Sequence, residues 1–176
     1  MTARPDKLLL RHLIEGLAVP AGQLPSGAVP EIEIRSAVID SRLASPGSLF
    51  VALRGDLRDG HEFVAEATGR GAVAVISERV PEIPCVALSA ADGPPSAGEW
   101  QPGVPTCFVV PDSLAALQQA AAFWRRQHDV RVIGITGSVG KTTSKEVIAA
   151  VLSQQYNTLK SKGNYNNEIG LPLTLL

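Results

Sequence analysis

Seven consecutive residues, GSVGKTT at positions 137–143, are suited to holding the phosphates of a nucleotide. Glycines at positions 137 and 140 allow tight turns that bring backbone N–H groups close to an anion. The ammonium group of Lys141 can reach the outer phosphates and serve catalysis, and the hydroxyl of Thr142 can join the shell of a Mg²⁺ ion. The predicted ATP-binding residues are Gly137, Ser138, Val139, Gly140, Lys141, Thr142 and Thr143.

The residues on either side place this loop between two regular elements. Residues 130–135 form a short run rich in β-branched side chains, which predicts a buried strand. A helix that begins at Lys141 would aim its positive end at the same phosphates. The usual pattern G-x-x-x-x-G-K-[ST] needs glycine at position 135, where Ile135 stands. The alternative interpretation is a plain strand-to-helix turn that uses glycine for its geometry.

Two further polar stretches follow predicted elements and are candidate ligand sites. Asp40, Ser41 and Arg42 stand where a strand meets a loop, although a turn closed by its own side chains would use the same residues. Residues 54–61, RGDLRDGH, are a second polar loop that a solvated surface explains equally well. The roles of Asp56, Arg58 and His61 within it stay open.

A cluster of amides lies about 25 residues after the phosphate loop. Asn164, Asn166, Asn167 and Glu168 offer amide groups for sugars or phosphates and a carboxylate for Mg²⁺. Asparagines in a turn, with Asn167 or Glu168 at the start of a helix, are the structural alternative. We expect Asn166, Asn167 and Glu168 to bind substrate.

Composition limits the class of protein. The chain has 176 residues, 45% of them hydrophobic, and a net charge of −1, which gives no electrostatic footprint for nucleic acid or an acidic membrane surface. No apolar run approaches the roughly 18–20 residues that span a bilayer. Cys85 and Cys107 match no disulfide framework or metal spacing and are expected to pack as small core residues. A reducing cytoplasmic location follows.

Apolar periodicity predicts an α/β fold: a small N-terminal α/β domain and the beginning of a P-loop domain with a mostly parallel sheet. The predicted strands lie at about 31–39, 48–53, 72–76, 85–88, 106–110 and 130–135, with a further one at 157–160. The predicted helices lie at 7–16, 62–70, 113–128 and 141–154. Residues 89–105 contain four prolines and three glycines, which is typical of a linker. The predicted domains are therefore 1–88 and 106–176, and the apolar last residues indicate a piece of a longer protein.

The motifs together resemble the Mur ligases. ITGSVGKTTSKE is similar to their ATP loop, T-G-x-x-G-K-[ST], in which the first glycine of the usual pattern is absent. The segment from DSR through LFVAL and DGH to GAVAV looks like the first domain of the family members that add the third and the last peptide pieces. GNYNNEIGLPLTLL is similar to the members that add D-alanyl-D-alanine.

The resemblance implies a function and assigns roles residue by residue. Such a ligase uses ATP and Mg²⁺ to phosphorylate the terminal carboxylate of UDP-N-acetylmuramoyl-tripeptide, and the amine of D-alanyl-D-alanine attacks the acyl phosphate. Ser41, with Arg42 beside it, matches the position that contacts the uridine-diphosphate end, and Asn166, Asn167 and Glu168 match a segment facing the sugar-pyrophosphate side. Thr142 would hold Mg²⁺.

Other readings stay open on sequence alone. The family has three domains, of which this chain carries the first and the opening part of the second, so we expect it to be a monomer that is inactive by itself. It would then be a non-catalytic module that binds the nucleotide sugar. The parent protein could also be the relative that adds the third peptide residue or a folylpolyglutamate synthase. A P-loop kinase or GTPase is a further alternative, but none of its later motifs is present.

Overall fold

A five-stranded parallel sheet forms the centre of the molecule. In the computed structural model, residues 6–17, 29–55, 58–89, 100–101, 103–161 and 167–176 are described. The strands are β1 (Ser36–Val38), β2 (Ser48–Val51), β3 (Ala72–Ser77), β4 (Val86–Ser89) and β5 (Thr106–Val109). Their order across the sheet is β1-β2-β3-β5-β4, and every neighbouring pair is parallel. The predicted α/β class is confirmed.

Among the described residues five helices accompany the sheet, and those of them that pack on it lie on both faces. They are α1 (Leu10–Gly16), α2 (Val64–Gly69), α3 (Ser113–Arg126), α4 (Lys141–Leu152) and α5 (Gly170–Leu175), and short 3₁₀ turns occupy Ser41–Leu43 and Gly60–Phe63. Leu49 and Val51 of β2 join the larger apolar cluster with α1 and α3, whereas Phe50 joins a smaller cluster with α2. Side chains alternate across a strand, so this continuous apolar run serves both faces.

The fifth strand corrects the predicted domain boundary. β5 lies between β3 and β4, with Thr106 opposite Ala74 on one side and Val86 on the other. α3 then packs on β3 and on α1. Residues 106–126 therefore complete the first sheet, and the prediction that 89–105 separates two domains is wrong. A proline-rich connection within one sheet has the same local composition as a linker, which explains the error.

Two predicted strands are not formed. Residues 130–135 form no regular secondary structure, and Val132 is 73% exposed where a buried strand was expected. Residues 157–160 likewise form no strand. A parallel strand needs neighbours for its backbone and cover for both faces, and no strand among the described residues pairs with either segment. The helix predicted at 141–154 does form, but its Val147 and Val151 are 57% and 66% exposed.

The last helix docks on the first sheet's helical layer. α5 packs against α3 and reaches β1. Leu173 and Leu176, among the apolar last residues, pack against the larger apolar cluster, while Leu171 stays 55% exposed. The cysteine prediction is confirmed: Cys107 is fully buried, Cys85 is half-buried beside it, and burial raises the pKa of the Cys107 thiol.

Candidate functional site: a phosphate loop and a polar turn at the sheet edge

The backbone of the phosphate loop is shaped for an anion. Gly137 and Gly140 have φ values of 144° and 82°, in the region that only glycine adopts without strain. α4 begins directly after Gly140 and has no side-chain cap. Its first internal bond runs from the Ser144 N–H to the Gly140 carbonyl at 2.9 Å. The N–H groups of the first turn therefore have no partner within the helix and stand at its positive end.

The side chains around the loop are accessible and complementary to phosphate. The Lys141 ammonium donates a hydrogen bond to the Gly137 carbonyl, so it lies back across the loop. Thr142 and Thr143 are exposed in the first turn of α4, and Val139 in the loop is 93% exposed. One exposed loop and the helix start after it thus carry a cation, the N–H groups of a first turn and two hydroxyls. This donor set fits a nucleotide polyphosphate.

The predicted DSR site is a turn with one buried hydroxyl. Asp40 accepts the Arg42 N–H at 3.0 Å and pairs with the Arg42 guanidinium at 2.6 Å. The hydrogen bonds of the Arg42 side chain, with the backbone bond second, lower the pKa of Asp40 to about 2. Ser41 is buried, and its hydroxyl donates to Glu66 Oε2 at 2.7 Å. The turn is therefore closed by Asp40 and Arg42, as in the structural alternative, but Ser41 bonds outside it.

Glu66 is a residue that sequence reasoning missed. It lies on α2, 25 residues after Ser41, and its second oxygen pairs with Arg70 one turn later at 3.2 Å. An (i, i+4) pair on a helix face gives no hint of a partner on a distant turn. No signal in one sequence would have linked Glu66 to Ser41.

His61 anchors the polar loop to the sheet. Its Nδ1 donates to Asp59 Oδ1 at 2.5 Å and its Nε2 accepts the Glu78 N–H at 2.9 Å, directly after β3. Glu78 in turn pairs with Arg54 at 2.5 Å. Hydrogen bonds from the backbone and ring of His61 lower the pKa of Asp59. Both ring nitrogens of His61 are therefore used in joining Asp59 to the residue that follows β3, while Asp56 lies outside the described residues.

The amide cluster divides between described and undescribed residues. Asn164 and Asn166 lie outside the described residues. Asn167 Oδ1 accepts the N–H of Gly170, the first residue of α5, at 2.7 Å. Glu168 is exposed, and its carbonyl accepts the Gln118 side-chain amide at 3.2 Å. In these contacts Asn167 serves the turn, as the structural alternative expected, and Glu168 keeps its carboxylate toward solvent.

The candidate residues form two separate groups. Ser41 and Arg42 follow the end of β1, and the loop held by His61 follows the end of β2, so both lie at the carboxyl edge of the sheet where parallel folds bind ligands. The phosphate loop begins α4, outside this sheet. Within the described parts of the chain, no group of His, Cys, Asp and Glu side chains is arranged to hold a metal ion. No described helix is long and apolar enough to cross a membrane.

Two family models match this chain along most of its length. Residues 33–125 match the Mur ligase family, catalytic domain, and residues 135–176 match the Mur ligase middle domain. The first match covers the sheet with α2 and nearly all of α3, and the second covers the phosphate loop and α4. This chain belongs to the Mur ligase family, as its motifs predicted.

Two relatives from different bacteria share one description. The UDP-N-acetylmuramoyl-tripeptide--D-alanyl-D-alanine ligase of Synechocystis is 45% identical over 146 residues, which are 83% of this chain and 28% of that protein. The Bacillus subtilis ligase of the same description is 36% identical, over 96% of this chain and 33% of its own length. The chain thus spans about a third of the relatives it matches.

Solved structures agree with these sequences. A crystal structure of MurF from Acinetobacter baumannii superposes with a TM-score of 0.71 at 31% identity, over 98% of this chain and 33% of that one. MurF ligase from Thermotoga maritima in complex with ADP gives a TM-score of 0.59 at 32% identity, over 81% of this chain and 29% of that one. The predicted fold and family are confirmed.

Proposed function

We propose that this chain is the nucleotide-sugar-binding domain and ATP loop of a ligase that joins D-alanyl-D-alanine to UDP-N-acetylmuramoyl-tripeptide. The observation that carries the proposal is the 45% identity to a ligase of that description over 83% of this chain. The phosphate loop with its accessible lysine supports it. Residues 127–134, between the two family matches, are the division between domains that we propose in place of 89–105.

The reaction needs activation because a carboxylate is a poor electrophile. The carboxylate oxygen of the tripeptide attacks the γ-phosphorus of ATP, ADP leaves, and an acyl phosphate forms. The amine of D-alanyl-D-alanine then attacks the acyl carbon, phosphate leaves with the electron pair, and the amine loses a proton to give the amide. Lys141 and the first-turn N–H groups of α4 would offset the charge that develops on the transferring phosphoryl group.

The remaining roles follow from the two groups of residues. ATP would lie against residues 137–143, and the Thr142 hydroxyl would join phosphate oxygens in holding Mg²⁺. Ser41 and Arg42 would contact the uridine-diphosphate end of the substrate, and Asn166, Asn167 and Glu168 its sugar-pyrophosphate side. We further propose that the parent enzyme works as a monomer in the cytoplasm, away from nucleic acid and membranes, and that this chain alone binds without ligating.

Calorimetry on the 176-residue chain tests the proposal. UDP-N-acetylmuramoyl-tripeptide and ADP with Mg²⁺ should each bind. Lys141→Ala should lower the affinity for ADP at least about tenfold, because charge-assisted hydrogen bonds to phosphate are among the stronger ones. The matched control is Lys160→Ala on the surface beyond α4, which should leave ADP binding unchanged. ADP release with both substrates present should stay at background. Failure to bind the tripeptide substrate would refute the proposal.

A further inference from the structure

Helix α3 holds the chain at two places, one before the phosphate loop and one after it. Arg125, in the last turn of α3, donates to the His128 carbonyl at 2.9 Å and to the Val130 carbonyl at 3.1 Å. Gln118 lies two turns earlier on the same helix and donates from its side-chain amide to the Glu168 carbonyl at 3.2 Å. One helix of the first sheet therefore binds both ends of the stretch that carries the phosphate loop.

Apolar contacts bring α5 against the same helix. Leu173 and Leu176 pack against the larger apolar cluster, which includes Leu117 of α3. A groove of about 370 Å³ nevertheless remains between the two helices, and both Gln118 and Arg125 line it. Because a groove leaves side chains without packing partners on one side, the polar contacts along it contribute a larger share to how firmly α5 is held.

The position of α5 depends on this support because the helix is short. It has six residues, and a helix of that length is not stable by itself in water. Asn167 is tied to α5 through its hydrogen bond to the Gly170 N–H, and Glu168 is the residue that Gln118 binds. α5 also reaches β1, the strand that leads to the turn of Ser41. The contacts of α3 thus set where Asn167 and Glu168 lie relative to the sheet.

We propose that Gln118 and Arg125 are positioning residues that fix Asn167 and Glu168 relative to the turn of Ser41, so that a substrate reaching both groups finds them already in place. This inference rests on the proposed function, in which the uridine-diphosphate end and the sugar-pyrophosphate side of one substrate meet these two groups. Ordering a loose segment during binding costs affinity, and a segment that is held beforehand avoids that cost. UDP alone would meet only the first group and gain nothing.

Amide hydrogen exchange on the 176-residue chain tests the attachment without any ligand. The Leu173 N–H is hydrogen-bonded within the first turn of α5, so its protection reports how firmly this helix is docked. The double variant Gln118→Met, Arg125→Met keeps side chains of similar length and helix propensity but removes the donors. Protection at Leu173 should fall about tenfold, as expected for the loss of a few hydrogen bonds of modest net strength. The matched control Gln119→Met, Arg126→Met alters the neighbouring exposed positions of α3 and should change protection by less than about twofold.

Calorimetry with the same variants tests the positioning role. The Gln118→Met, Arg125→Met variant should bind UDP-N-acetylmuramoyl-tripeptide about tenfold more weakly than the wild type, while its affinity for UDP changes by less than about twofold. The ratio of the two affinities should therefore fall, whereas general damage to the first sheet would lower both affinities together. The Gln119→Met, Arg126→Met control should keep the wild-type ratio.

The outcomes separate this inference from the proposed function. Unchanged protection at Leu173 in the Gln118→Met, Arg125→Met variant would overturn the attachment, and reduced protection with an unchanged affinity ratio would overturn the positioning role. In both cases the wild type still binds the tripeptide substrate and the proposed function stands. If the wild type does not bind that substrate, the proposed function falls and the positioning role falls with it.

Discussion

Phe108 is the residue whose truncation best tests whether the first sheet includes β5. Its side chain is fully buried in the larger apolar cluster, and the residue pairs with Ile76 on one side and Leu88 on the other. Replacing a buried phenylalanine by alanine costs about 3–5 kcal/mol. For an m-value of about 2 kcal/mol/M, the urea midpoint of the sheet should fall by about 2 M. Phe108→Ala should therefore destabilise strands on both sides of β5.

Amide hydrogen exchange locates that effect. The Ala52 N–H, which donates to the Ile76 carbonyl between β2 and β3, should lose protection by about 10²-fold or more. The matched control, Val139→Ala at a 93% exposed position, should change protection by less than about threefold. Normal protection at Ala52 in Phe108→Ala would show that β2 and β3 are stable without β5. The sheet order on which our domain division rests would then be wrong.

Two further predictions concern the helices on the larger cluster. Desolvation, with the Arg11 charge second, lowers the pKa of His12, whose Nδ1 accepts the Leu9 N–H at 3.0 Å. The imidazole therefore binds a proton more readily in the unfolded chain, and the part of the folding stability that is complete above about pH 6.5 should be lost on acidification. Urea denaturation at pH 7 and pH 5 should show a smaller loss of stability in His12→Gln than in the wild type. Asp112 caps α3 by accepting the Leu114 and Ala115 N–H groups at 2.8 and 2.9 Å. Asp112→Ala should cost about 1 kcal/mol in urea denaturation, and an unchanged midpoint would contradict that role.

Local patterns in the sequence were sufficient to predict most helices and strands of the fold. The runs that became β2, β3 and β5 are apolar except for one serine or threonine at an end of each, as strands covered on both faces require. The helix predicted at 113–128 begins at Ser113, where Asp112 caps it. The glycines of the phosphate loop were identified for the same reason, because a tight turn before a helix requires them at fixed positions.

Features that depend on distant partners were not predictable. Residues 130–135 have the composition of a strand, but strand formation requires neighbours that composition does not specify. The position of β5 between β3 and β4 is a matter of chain topology, which a proline-rich connection does not encode. The contact of Ser41 with Glu66 joins a turn to a helix across 25 residues, and only the folded chain brings them together.

The place of β5 in the sheet also bears on how the chain folds as it is synthesised. Within the described part of the chain β4 pairs with β5 alone, yet β4 ends at Ser89 and β5 ends at Val109. At about 5–20 residues per second, a ribosome takes roughly one to four seconds to make the intervening stretch. During that interval β3 has an open edge and β4 an unpaired backbone, both available to other nascent chains. The connection that resembles a linker thus sets how long the growing sheet stays unprotected.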